Sequence, residues 1–107
     1  MTDDNAAFIG ERLREAVALE LDGTVHVRLE TMVEDTETQT FRFCVEQHKG
    51  FMASSCLVSV CVKRTILWDR VALAESLDRI TQNMARGCVA EFARLLREHF
   101  ARKVQYN

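Results

Sequence analysis

The sequence predicts an α+β fold. We expect a two-layer sandwich in α-β-β-β-α order, with a three-stranded antiparallel meander and both helices on one of its faces. Three observations predict it. Apolar residues recur at helical spacing near the start, alternate with a period of two through the middle, and return to helical spacing from about residue 70. The strand-like runs are joined by short polar turns, which favours antiparallel neighbours. The 107 residues suit one domain, 1–107.

The first helix is expected over about 5–21, where Ile9, Leu13, Ala16, Val17 and Leu21 recur. Asp4 or Asn5 suits its start, and Gly23 suits the left-handed residue after its end. Gly10 weakens the helix mildly. From Thr24, Val25, Val27, Leu29, Thr31 and Val33 alternate with polar residues, giving a half-buried strand. EDTET turns the chain, and Phe41, Phe43 and Val45 mark a second strand. HKG turns it again, and Cys56, Val58, Val60 and Val62 mark the third. Asp69 is the expected N-cap of a helix over about 70–103, with the stripe Leu73, Leu77, Ile80, Met84, Cys88, Phe92 and Leu95. The stripe keeps its phase past Gly87, so the helix is expected to be continuous. Trp68 is expected to staple its entry against the core, the alternative being an anchor for a partner.

Composition narrows the function classes. The chain is 48% hydrophobic and 28% charged, too apolar for intrinsic disorder. No apolar run approaches the ~20 residues of a membrane span. The start, MTDDNAAFIGERLRE, lacks the basic-then-apolar pattern of a secretory signal, which predicts a cytoplasmic protein. Residues 1–40 hold 10 acids against 3 bases, and residues 41–107 hold 6 acids against 11 bases. With a pI near 5.9, nucleic acid is not the favoured partner.

Cysteine and histidine invite a search for chemistry. Cys44 and His48 share a strand face but lie ~13 Å apart along it, too far to hold one metal ion. A register with Val33 opposite Phe41 would set His26 opposite His48, Arg28 opposite Glu46 and Glu30 opposite Cys44. Cys56 and Cys61 fall on opposite faces, while Cys61 is able to approach Cys44 across the sheet. All four thiols are expected to be free. No phosphate loop, nucleophile elbow, HExxH or CxxC pair is present. No catalytic residue, metal ligand or cofactor is therefore assigned.

Surfaces carry the remaining signal. The second sheet face is expected to hold His26, Arg28, Glu30, Arg42, Cys44, Glu46, His48, Leu57, Ser59 and Cys61. On the long helix Arg79, Arg86 and Arg97 fall within about 20° of one another, with Arg94 near the edge. This ridge is the candidate partner-binding surface. A 34-residue helix would outrun a ten-residue strand by roughly 18 Å. Val89, Phe92, Leu96 and Phe100 continue the apolar surface into that overhang and are the candidate self-association residues.

The element order resembles that of the small dimeric nucleoid-associated proteins of bacteria, through topology alone and no motif. That resemblance implies a dimer that binds DNA through the ridge. The chain is also similar in plan to small acidic dimeric secretion chaperones, although it lacks their additional strands. The leading expectation is a non-enzymatic, homodimeric module that binds another protein. The first alternative is a nucleic-acid-associated protein using the ridge. The second is a small metal or thiol protein using Cys44, His26 and His48.

Overall fold

The computed structural model describes residues 4–105, with side chains as far as Arg102. Helix α1 (Asp4–Glu20) buries Ala6, Ile9, Leu13 and Val17, one apolar stripe at three- and four-residue spacing. The chain then reverses at Gly23, whose φ is 95°. A Cβ there would lie 2.5 Å from the His48 carbonyl oxygen, so only glycine fits.

Three strands follow in the order β1 (Thr24–Glu34), β2 (Thr38–Lys49) and β3 (Met52–Lys63), all antiparallel. The two-residue connection between β2 and β3 turns at Gly50, with φ 63°. A 3-10 turn (Arg64–Trp68) leads to helix α2 (Arg70–Gln105), which runs unbroken past Gly87 as expected. Asp69 caps it: its Oδ1 accepts from the backbone N–H groups of Val71 and Ala72, at 3.1 and 3.2 Å.

Both helices cover the same sheet face, α1 over β1 and α2 over β3. Arg70 lies over the Phe8 ring and Asp78 pairs with Arg12, so the helices run side by side in one direction. Between the layers lie Phe41, Phe43, Val45, Val60 and Val62 from the sheet, and Leu73, Leu77, Ala85, Cys88 and Phe92 from α2. Gly10 has a packing reason: a Cβ there would come within 3.1 Å of the Phe43 ring.

Four expectations are corrected. The alternation of β1 does not run its full length. A bulge between Leu29 and Thr31 swaps the faces, so Met32 pairs with Phe41 and Val33 with Thr40, leaving Val33 exposed. The opposing register is accordingly His26 with Glu46 and Arg28 with Cys44. Trp68 is not a staple: it is 87% exposed, and Leu67 takes the buried position. Cys61 pairs with Thr40 and Cys44 with Leu57, which separates the two thiols by about 13 Å along the sheet.

Candidate functional site

The second sheet face holds a polar network. Arg28 reaches Glu30 at 2.8 Å and Glu46 at 3.5 Å, and the other Glu46 oxygen lies 3.5 Å from His48 Nε2. The rings of His26 and His48 meet edge to face at 5.6 Å. The pairs foreseen in sequence, Arg28 with Glu46 and His26 with His48, thus meet as diagonal neighbours across the strands. Cys44 lies between them, with Sγ 3.9 Å from the Glu46 carboxylate. Burial pushes this thiol above its ordinary pKa, against the pull of the Arg28 guanidinium, so it is poorly suited to act as a thiolate. Among the described residues, no group of three or more His, Cys, Asp or Glu is placed to hold a metal ion.

The arginine ridge is narrower than the sequence implied. Arg79, Arg86 and Arg97 are exposed, and among the described residues they form no ion pair. Arg94 is held by Glu91 and Glu98 on its own helix, at 2.5 Å to each. At the edge of the ridge, its charge is partly offset by these two acids. Arg86 also lines a groove between the helices with Glu15, Glu20 and Asp78, so acidic side chains of α1 flank the ridge.

Three of the four self-association candidates come together at the opposite end of the molecule from Asp69. Val89, Phe92 and Leu96 line a cleft of about 260 Å³, closed by Leu21 and Asp22 after α1 and by Met52 and Ser54 of β3. Gln47 shapes this end by donating from Nε2 to the Asp22 carbonyl oxygen at 2.8 Å. Phe92 itself is 1% exposed and belongs to its own chain's core, because β2 and β3 are each 12 residues long and reach further along α2 than a ten-residue strand would. Leu96 and Val89 are half-buried and Phe100 is 57% exposed. Sequence reasoning missed Phe51 at the hairpin tip and Leu19 near the end of α1, both almost wholly exposed, although Leu19 lines the groove beside Arg86 rather than this cleft. The signal was available for Phe51, which follows the turn glycine directly.

A second cleft, of about 690 Å³, lies where the free edge of β3 meets α2. Cys56, Val58, Met84, Gly87, Cys88 and Glu91 line it. Within it Cys56 Sγ and Cys88 Sγ lie 3.3 Å apart. Sequence reasoning missed this pair too. It set each cysteine on the correct face of its element, but not the slide of the helix along the sheet that brings them together.

The molecule is therefore a two-layer α+β sandwich with an uncovered polar sheet face and an apolar end. No helix among the described residues is long and apolar enough to cross a membrane. Searches of protein-family models, curated proteins and solved structures find no match to the chain.

Proposed function

We propose that the protein is a non-enzymatic interaction module that forms a homodimer and binds a second protein. The observation that carries the dimer is the apolar end of the molecule. Phe51 and Phe100 stand exposed towards this end, and Val89 and Leu96 line a cleft there. Large exposed apolar side chains gathered at one end are unusual for a monomer. Shape supports the same reading. The radius of gyration is 15.7 Å, against about 13 Å for a compact chain of this length. The accessible surface is 7454 Å², roughly 1300 Å² more than a monomer of this mass exposes on average.

The partner-binding surface in this reading is Arg79, Arg86 and Arg97, and the partner's complementary feature is an acidic segment. The flanking acids of α1 weaken the positive field over the ridge. A chain with a pI near 5.9 offers little of the clustered positive charge that nucleic-acid binding draws on. The cytoplasm is the compartment consistent with four free thiols.

Light scattering tests the dimer. The variant Leu96→Glu, Phe100→Glu alters a half-buried and an exposed position, leaves Phe92 in the core, and should be a folded monomer. A dimer that persists in this variant would place the interface elsewhere and overturn the assignment of these residues. For the ridge, a mobility shift with duplex DNA at low salt would favour the nucleic-acid reading; its absence at 50 mM salt favours a protein partner.

A further inference from the structure

We propose that Cys56 and Cys88 form a redox pair, which a peroxide or an aliphatic disulfide converts into a bond tying β3 to α2. The pair sits on facing elements. Cys56 projects from the inner face of β3 and Cys88 from the sheet-facing stripe of α2, 32 residues apart in sequence. Their sulfurs need to approach by only roughly 1.2 Å from 3.3 Å to reach disulfide length. The reagent has a route, because both cysteines line the 690 Å³ cleft, which opens at the free edge of β3. Gly87 keeps that wall low: a Cβ there would meet nothing within 4 Å.

The other two thiols lack such a partner. Cys44 borders the same cleft but projects from the opposite sheet face, and Cys61 is exposed beside Thr40. The roles within the pair differ. Cys56 is half-buried in the cleft wall, whereas Cys88 is only 2% exposed. Cys56 is therefore the thiol that a reagent meets first, and Cys88 is the resolving thiol.

With hydrogen peroxide, the Cys56 sulfur attacks one oxygen and the O–O bond breaks. Hydroxide leaves and is protonated to water, and Cys56 becomes a sulfenic acid. The Cys88 sulfur then attacks the Cys56 sulfur, the S–O bond breaks, and a second water leaves. Two thiols and one peroxide give one disulfide and two waters. With an aliphatic disulfide, two successive exchanges release its two thiols and leave the same bond.

The test uses the full chain carrying Cys61→Ser, which removes the exposed thiol and with it bridging between molecules. The folded protein is oxidised with a slight excess of hydrogen peroxide, or separately with oxidised glutathione. Remaining thiols are then titrated in denaturant, and non-reduced peptides are mapped by mass spectrometry. The expected result is loss of two of the three remaining thiols and one linked peptide pair joining Cys56 to Cys88. A rise in melting temperature of about 8 °C or more, reversed by dithiothreitol, should accompany it. Adding Cys56→Ser, at a half-buried position, should abolish both the link and the rise. Three thiols still titrating after oxidation, a link between other cysteines, or an oxidised protein that melts lower would each overturn the proposal.

Discussion

At Gly23 one missing side chain decides whether α1 can hand over to β1. The left-handed φ and the 2.5 Å approach to the His48 carbonyl act together, since alanine would be strained there even with open space. Gly23→Ala should destabilise the fold by about 2 kcal/mol or more, read from urea unfolding; an unchanged midpoint would mean that the turn relaxes freely. Asp69 offers a milder test. Its carboxylate accepts from two backbone N–H groups at the start of α2, so Asp69→Ala should cost about 1 kcal/mol. Trp68, one residue earlier, is the contrast. It is 87% exposed, and Trp68→Ala should change stability by less than about 0.5 kcal/mol. A larger loss would restore the staple role that its place in the sequence suggests. Gly23 and Asp69 were legible because turn and cap chemistry is local. The exposure of Trp68 was not, because the choice between it and Leu67 depends on how the 3-10 turn rolls against the sheet.

The elements differ in how much of themselves they disclose. The long helix was legible from its stripe, since one phase runs from Leu73 to Phe92 and nothing interrupts it at Gly87. Strand β3 was equally plain, its inward residues Cys56, Val58, Val60 and Val62 alternating without a fault. Strand β1 was not. Apolar residues occupy both of its faces beyond Leu29, with Met32 on one and Val33 on the other, so alternation alone cannot locate the bulge that exchanges them. Individual ridge residues were likewise legible, but the capture of Arg94 by Glu91 and Glu98 turns on side-chain geometry. If the ridge serves recognition, replacing Arg79, Arg86 and Arg97 with glutamine should leave the melting temperature nearly unchanged, because exposed charges contribute little to stability. Binding of the protein partner should weaken and lose its salt dependence. Adding Arg94→Gln should weaken binding little further, since its charge is already partly offset. A large further loss on adding it would make Arg94 a full member of the site.

At the scale of the whole molecule, the long axis of 56 Å against 24 and 23 Å follows from one mismatch. A 36-residue helix spans about 54 Å, while a 12-residue strand spans about 40 Å. The start of β3, Met52 to Ser55, shares a groove with Leu95, Glu98, His99 and Arg102 of α2, while Phe100 on the same turns is exposed. The sequence disclosed the mismatch but overstated it, because the strands are longer than their apolar residues suggest. Phe92 is drawn into the core as a result, and the surface proposed for a second copy lies towards Phe100 and the hairpin tip. Phe51 tests that placement, since it touches little of its own chain at full exposure. Phe51→Ser should weaken self-association several-fold while leaving stability within about 0.5 kcal/mol. Unchanged association would remove the hairpin tip from the interface. The most direct measurement is the mass of the wild-type protein in solution, by light scattering at tens of micromolar. A dimer, with twice the 12.3 kDa of one chain, is the predicted result, falling to a single chain in the Leu96→Glu, Phe100→Glu variant. A wild-type mass of one chain would contradict the account.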